Sequence, residues 1–393
     1  MQKGNVKAIA SPDAIAGAAP GAAESGFAPV IADLRRHVLE NWPRYYPARA
    51  HAGAPELRVE TRHFGFSVLF SAALVFPRDA GSERFMIKVR RKHRDGTILP
   101  DEVTDRTRVQ ARTEHDQHVK AYEFFAGRSD GLGVVRPLDY IDRYNAFLVD
   151  HAVGKDLSKV VRDDDDIALA SLERCGGWWR AFHHELHHAQ ERAWNPETID
   201  RGLERRLGRL RTIGAPTEVA GQLAEEMRAT ARAVAATPVP VSLIHGDCKL
   251  RHVWGSATGI QVLDFGNTKV GDSWIDPAAL VAELSLYSLW SRHLHTESHV
   301  QHIRTLLDAY FGGPPPVAFW LYVVDCLFKK WHRRLRKWGP GPGMTRMRQS
   351  LKTVRLDGTV ERLYIDRWFS AQVRAWLALA QGRPPAWLKP LAQ

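Results

Sequence analysis

The amino-acid sequence predicts an α+β protein with a β-rich N-terminal lobe and a mostly helical C-terminal lobe. Short apolar runs bounded by Pro, Gly, Asp and Ser occupy much of residues 59–149, which is typical of strands and turns. From Ile167 onwards the apolar residues recur with helical spacing, apart from a short β region at residues 241–263. The 393 residues suffice for two or three structural units, and 44% hydrophobic with 25% charged residues excludes a wholly disordered or fibrous chain.

Residues 1–28 are predicted to form a flexible leader. Residues 8–28 are rich in Ala, Gly, Ser and Pro and lack the continuous apolar segment of a signal peptide. The three cysteines are widely spaced and form no CxxC motif, which supports neither a disulfide framework nor a structural zinc site. The longest apolar run, residues 317–328, is too short to cross a bilayer. We therefore expect a cytoplasmic protein.

Residues 29–150 are predicted to form the N-lobe, an antiparallel sheet with one helix. A preceding helix over residues 31–42 should end at Pro43, since proline disrupts helix interiors. The lobe's own helix, residues 106–125, places Glu114, Tyr122 and Phe125 on one face. The predicted strands are residues 64–70, 72–76, 85–89, 134–138 and 146–149. Residues 150–154 form a hinge to the second lobe.

Residues 151–393 are predicted to form the helical C-lobe, interrupted by a β-hairpin within residues 241–266. Two short apolar strands flank a turn of Gly, Ser and Thr, which favours a hairpin. In that register His252 lies opposite Val262, two residues from Asp264, and Asp247 lies on the loop that leads into the first strand. The hairpin therefore gathers two carboxylates and an imidazole at one end.

Carboxylates gathered in this way repel each other unless a cation or a proton neutralises them. A hard divalent ion, bound by one or two carboxylates together with phosphate oxygens, is the usual solution. Asp264 and His252 would then bind the metal, and Asp247 would orient an attacking hydroxyl. Phosphoryl transfer requires this division of roles, with a lysine on the phosphates that are not transferred.

The order of these motifs resembles that of the aminoglycoside phosphotransferase-like family of protein-kinase-like small-molecule kinases. The resemblance rests on His245-Gly246-Asp247, a metal-ligand position five residues later, Asp264-Phe265-Gly266, and residues 271–276. It implies a bilobal protein-kinase-like fold, ATP as the phosphoryl donor with Mg²⁺, and a small-molecule hydroxyl as the acceptor. ATP would bind at the hinge, next to Val149 and His151.

The same resemblance assigns roles to further residues. Lys88 resembles the third-strand lysine that pairs with the α- and β-phosphates and with a helical glutamate. We assign that glutamate to Glu114, with Glu123 as the alternative. Gly65 and Ser67 resemble a tightened phosphate loop.

Two residues of the same motif set are assigned to support rather than to catalysis. Asp276 resembles the buried aspartate that braces the catalytic loop, to which His245 also contributes.

Two departures from the family pattern matter. The metal position that is usually Asn is His252, as in macrolide phosphotransferases, and imidazole suits Mn²⁺ better than Mg²⁺. The phosphate loop has Gly65 alone, which leaves open a nucleotide-binding pseudokinase that acts as a scaffold through a basic C-terminal helix.

Three other features have competing interpretations. Residues 184–188 match HExxH, the pattern of a zinc peptidase, within a region that is simply His-rich. Asp163 to Asp166 could bind a cation, but a charged first turn of the next helix explains them better. The basic run at residues 329–338 could be a solvated face, an acceptor site, or a surface for nucleic acid or membrane.

The charge balance bears on the acceptor. There are 55 Lys and Arg against 44 Asp and Glu, a net charge of +11, and the C-lobe is basic across residues 329–352. A polycationic aminoglycoside fits such a lobe poorly, whereas a sugar, a glycoconjugate precursor or a macrolide-like antibiotic is easier to accommodate, and the acceptor could be anionic. Peripheral membrane contact stays open, and a nucleic-acid partner is not favoured.

Overall fold

A computed structural model describes residues 28–64, 67–77, 81–90, 104–163, 166–213, 217–287, 297–338 and 358–392. The predicted leader up to residue 27, Gly65, and residues 339–357 lie outside these described residues. The strands are β1 (Glu56–Phe64), β2 (Ser67–Val75), β3 (Ser82–Arg90), β4 (Leu132–Val134), β5 (Pro137–Ile141), β6 (Ala146–Asp150), β7 (Lys155–Asp156), β8 (Gln190–Ala193), β9 (Pro238–Ile244), β10 (Val253–Gly255), β11 (Ile260–Val262) and β12 (Lys269–Asp272). The α-helices are α1 (Ala28–Tyr45), α2 (Asp105–Ala126), α3 (Leu157–Arg162), α4 (Ala168–Arg180), α5 (Pro196–Thr212), α6 (Thr217–Ala233), α7 (Ile275–Tyr287), α8 (Glu297–Phe311), α9 (Val317–Trp338) and α10 (Gly358–Ala380).

The chain divides into two units. The first unit comprises the described residues of Met1–Ala111 and Leu138–Asp150, and the second those of Arg112–Pro137 and His151–Gln393. The break after Asp150 falls at the start of the predicted hinge. Most of α2 belongs to the second unit, whereas the sequence assigned this helix to the N-lobe.

The first unit is an antiparallel sheet with strand order β1-β2-β3-β6-β5, covered by α1. On β3, Phe85, Ile87 and Val89 are buried, and Lys88 lies on the other face of the strand, opposite Phe147 of β6. This is the alternation that the sequence predicted. One buried face and a covering helix give the unit its own hydrophobic core.

Helix α1 is longer than the sequence predicted. It continues through Pro43 to Tyr45 instead of ending before the proline. Proline in the last turn removes one hydrogen bond, and the burial of Trp42 and Tyr45 on either side of it offsets that loss.

The second unit contains two small sheets among helices. One sheet has the order β4-β11-β10-β7, and the other has the order β12-β9-β8. The predicted hairpin is formed by β10 and β11, with Val253 opposite Val262. His252 therefore lies one residue outside the predicted pairing, because residues 250–252 form a turn of 3-10 helix before the strand begins. The run that ends at Ile244 is not part of this hairpin, since β9 pairs with β8 and β12.

The core of the second unit is aromatic where α4 meets the hairpin sheet. Trp178 of α4 is fully buried and stacks on Phe125 and Phe182, with ring centroids 4.8 and 4.9 Å away. Its indole N–H donates to the carbonyl of Gly133 on β4 at 3.0 Å. Trp178 thus joins α2, α4 and β4 at one point. Among the described residues, no helix is both long and apolar enough to span a membrane.

We expect Trp178→Ala to destabilise the second unit by about 3–5 kcal/mol, because it leaves a cavity and removes the hydrogen bond from the indole to the carbonyl of Gly133. Thermal unfolding followed by circular dichroism measures the change. Leu169→Ala, on the exposed side of the same helix, is the control and should leave the melting temperature nearly unchanged. Equal shifts for the two variants would contradict the central position of Trp178.

Candidate active site

The loop between β9 and β10 carries the predicted catalytic motif. It begins at His245, directly after β9, and ends in the 3-10 turn Leu250–His252. Gly246 has φ of +74°, and a Cβ atom there would lie 2.3 Å from the carbonyl oxygen of Asn267. Only glycine fits both the left-handed backbone and the close contact. The loop conformation is therefore fixed at the residue that precedes Asp247.

Asp276, in the first turn of α7, forms hydrogen bonds with the backbone of this loop. Its carboxylate oxygens accept hydrogen bonds from the backbone N–H groups of His245 at 2.7 Å and Gly246 at 3.0 Å. The ring of His183 lies 3.2 Å from the same carboxylate, and both side chains are fully buried. Burial alone would raise the pKa of Asp276, but the contact with His183 and the charge of His245 hold it below its ordinary value. The predicted supporting position of Asp276 therefore has a direct structural counterpart.

His245 has its own place in this arrangement. Its Nε2 atom lies 3.1 Å from the carbonyl oxygen of Leu263, and its ring packs edge-on against Trp179. It also contacts the ring of Phe265. His245 therefore links the catalytic loop to the segment that carries Asp264.

The structure brings the three predicted chemical groups together. Asp247, His252 and Asp264 each offer a ligand atom, and these atoms lie within 4.8 Å of one another. The His252 Nε2 atom is 3.3 Å from an oxygen of Asp264. Among the described residues, this is the group of His, Cys, Asp and Glu that could hold a metal ion. Two carboxylates and an imidazole match the donor set of a divalent cation.

Two local features shape this cluster. His252 is buried, and burial lowers its pKa to about 4 although Asp264 acts in the opposite direction. Its other ring nitrogen, Nδ1, is buried without a hydrogen-bond partner among the described residues. Asp264 has φ of +72°, a strained conformation for a residue with a side chain. Such strain is typical of functional sites.

The sequence analysis missed two residues that act on the catalytic loop. Lys249 forms an ion pair with Asp247. Glu283 of α7 accepts the backbone N–H of Leu250 at 2.8 Å and binds the ammonium of Lys330 on α9 at 3.0 Å. Lys249 could have been found from its position two residues after Asp247 in an extended loop. Glu283 carries no local signal, because its partners are distant in sequence.

The predicted glutamate of α2 lies in the second unit. Glu114 is buried, and its carboxylate would lie 2.8 Å from a Cβ atom at Gly266. One turn later, His118 is 2.6 Å from the carbonyl of Val135 and packs against Phe265. The alternative, Glu123, is exposed. Glu114 therefore lies beside the segment that carries Asp264.

The other residues predicted to bind the nucleotide are divided between the two units. In the first unit, Lys88 lies with its ammonium 5.6 Å from the centre of the Phe147 ring. Ser67 is the first residue of β2, and Val149 pairs with Met86. In the second unit, His151 packs edge-on against Trp254.

The HExxH segment has no zinc-site geometry in the part of the chain that the structure describes. Helix α4 continues into a π-helical turn, Ala181–Leu186, so the regular spacing of an α-helix is lost. Glu185 pairs with Arg128 at 2.6 Å, and His188 has left the helix with φ of +45°. Asp163, from the other candidate cation segment, is exposed and pairs with Arg162.

We expect Asp276→Asn to destabilise the protein and loosen the catalytic loop. An amide has one acceptor oxygen, so its NH₂ group would face one of the two backbone N–H donors. Because the pKa of Asp276 is lowered in the folded state, its charge stabilises the fold above the unfolded pKa of about 4, and this contribution is lost as the pH falls further.

Urea unfolding between pH 7 and pH 3 tests this expectation. The gap in stability between wild type and Asp276→Asn should be full at pH 7 and should narrow below about pH 4. Asp308→Asn, at an exposed pair with Arg304, is the control and should cost little at any pH. A gap that widens towards acid pH would refute the role of the Asp276 charge.

The chain is similar to known phosphotransferases. A sequence profile of the phosphotransferase enzyme family matches residues 88–320. No curated protein matches the sequence. Solved structures with a similar fold include a choline/ethanolamine kinase family protein from Mesorhizobium loti (14% identity, 88% of this chain and 95% of that chain, TM-score 0.47). A choline kinase from Cryptosporidium parvum Iowa II aligns at 10% identity over 91% of this chain and 98% of that chain, with a TM-score of 0.48.

A third solved structure is amicoumacin kinase in complex with AMP-PNP, Ca²⁺ and its antibiotic, at 13% identity over 87% of this chain and 96% of that chain, with a TM-score of 0.48. The profile match spans more than half of the sequence and confirms the family resemblance that the motifs carried. The predicted α+β class is confirmed by the observed strands and helices, and the predicted enzyme class, a phosphotransferase, is confirmed by the family match. The chain belongs to the phosphotransferase enzyme family.

Proposed function

We propose that this enzyme transfers the γ-phosphoryl group of ATP to a hydroxyl group of a small molecule, such as a sugar, a glycoconjugate precursor or an antibiotic-like acceptor. The observation that carries the proposal is the convergence of Asp247, His252 and Asp264 within 4.8 Å at the end of a braced loop. Membership in the phosphotransferase family supports the reaction class.

The three clustered residues have different tasks in this proposal. Asp264 and His252 would hold a divalent cation, since their facing donor atoms are only 3.3 Å apart. A bound divalent cation neutralises charge on the phosphates during transfer. Mg²⁺ is the expected ion, and the imidazole makes Mn²⁺ an alternative.

Asp247 would act on the acceptor. Its carboxylate accepts the proton of the acceptor hydroxyl as the oxygen attacks the γ-phosphorus. A new oxygen–phosphorus bond forms, the bond to the bridging oxygen breaks, and ADP leaves with the electron pair of that bond. Lys249, paired with Asp247, orients the carboxylate. The proton then passes to solvent.

Nucleotide binding is proposed from the sequence motifs. Lys88 and Ser67 are assigned to the phosphates of ATP, and Glu114 is assigned to the orientation of the lysine. Val149 and His151 are assigned to the adenosine part of the nucleotide.

We expect Asp247→Asn to reduce phosphoryl transfer by about 10²–10⁴-fold while ATP still binds. The measurement is transfer of label from [γ-³²P]ATP to small molecules in pooled metabolite extracts, with ATP binding followed by thermal shift. Asp308→Asn is the matched control. Unchanged labelling by Asp247→Asn would rule out its role as the base.

The same assay separates the enzyme from a scaffold. ATP binding by the wild type without any labelled product would favour a nucleotide-binding pseudokinase. The intact cluster of Asp247, His252 and Asp264 favours the enzyme.

We expect His252→Asn to weaken the binding of Mn²⁺ by roughly tenfold and to change the binding of Mg²⁺ much less, because imidazole favours the softer ion. Electron paramagnetic resonance of free Mn²⁺, titrated against protein with ATP present, measures the affinity, and Mg²⁺ affinity follows from competition. His299→Asn, on α8, is the control. Unchanged affinity for both ions would exclude His252 as a metal ligand.

A further inference from the structure

The basic run at the end of α9 is not the evenly solvated face that its composition suggested. Trp331 is fully buried and stacks on Phe369 of α10, and its indole N–H donates to Asp366 at 2.8 Å. Leu335, one turn later, is also buried. The tryptophan therefore belongs to the core, and the side chains that remain available on this segment are mainly cations.

One of these cations ties α9 to the catalytic loop. Lys330 binds one oxygen of Glu283 at 3.0 Å, and the other oxygen of Glu283 accepts the N–H of Leu250 at 2.8 Å. Leu250 follows Lys249 in the loop that carries Asp247. This chain of contacts joins the start of the basic run to the loop that carries Asp247.

The neighbouring cation, Lys329, is half-buried and makes no ion pair or hydrogen bond within the described residues. Burial lowers its pKa, Arg333 and Arg206 act in the same direction, and Cys326 and Asp247 act in the opposite direction. Lys329 directly precedes Lys330, whose contact with Glu283 joins this turn of α9 to the loop that carries Asp247.

The carboxylates around Lys329 are already paired with other cations. Asp325, one turn before it on α9, pairs with Arg206 of α5. Glu283 pairs with Lys330, and Asp247 pairs with Lys249. A half-buried ammonium whose neighbouring carboxylates are occupied can form a charge-assisted hydrogen bond with an external anion.

We propose that the acceptor of this enzyme carries an anionic group, a carboxylate or a phosphate, which binds to Lys329 while the acceptor hydroxyl faces Asp247. Arg333, one turn further along α9 and exposed, extends the positive surface towards solvent. Lysine and arginine are the side chains that bind carboxylates and phosphates. This inference rests on the proposed phosphotransferase activity and narrows its substrate class.

The charge class of the acceptor can be measured before the acceptor is identified. Pooled metabolite extracts are separated on a strong anion exchanger into a bound, anionic fraction and an unbound fraction of neutral and cationic molecules. Each fraction is incubated with the full-length protein, [γ-³²P]ATP and Mg²⁺ or Mn²⁺. We expect labelled product from the bound fraction only. Labelling confined to the unbound fraction would overturn the anionic acceptor and leave the phosphotransferase proposal intact, whereas no labelling in either fraction would overturn both.

Substitutions in α9 test whether Lys329 binds the anionic group of the acceptor. Lys329→Gln should raise the KM for the anionic fraction at least tenfold and leave the KM for ATP unchanged, and Lys329→Arg should restore most of the loss. Arg336→Gln removes the same charge from an exposed position on the same helix and is the matched control. Thermal unfolding confirms that each variant is folded. Equal KM values for wild type and a folded Lys329→Gln variant would exclude Lys329 as the anion site.

Discussion

The arrangement of the site depends on one buried carboxylate. Asp276 binds two consecutive backbone N–H groups at the start of the catalytic loop, and His183, in the π-helical turn that follows α4, contacts the same carboxylate. Backbone donors in a protein interior must find acceptors, and a charged acceptor is the strongest available. The turn at Gly246 and the position of Asp247 both follow from this contact. A loop fixed through its backbone leaves its side chains free for chemistry.

A second support comes from Glu283, which fixes the far end of the same loop. Asp276 and Glu283 are both on α7, separated by about two turns, so one rigid helix defines both ends of the catalytic segment. Helix α9 is joined to that helix through Lys330. The proposed acceptor site on α9 is thereby tied to the same helix as the loop that carries Asp247, which limits how far the two can move apart.

Much of the site could be predicted because its residues are close in sequence. Asp247, His252 and Asp264 fall within one short β region, where carboxylates among apolar strands are conspicuous. The pairing register was wrong by one residue, since a 3-10 turn precedes β10 and composition does not signal it.

The contacts that sequence reasoning missed are long-range. Glu283 meets Leu250 and Lys330, and His183 meets Asp276, only through tertiary packing. The end of α1 was also misplaced, since the burial of Trp42 and Tyr45 outweighs the local effect of Pro43. Tertiary packing decides such cases, and local propensity does not.

The left-handed backbone conformation of Asp264 restricts which amino acids can occupy position 264. Among residues with side chains, Asn and Asp tolerate that conformation best, and the extra methylene of Glu would displace the carboxylate as well. The identity of residue 264 is thus constrained by backbone geometry and by ligand chemistry together. His252 is not among the described residues with positive φ, so its side chain can change without backbone strain. Adaptation of the proposed metal site to a different ion would therefore proceed through residue 252, with residue 264 kept as Asp.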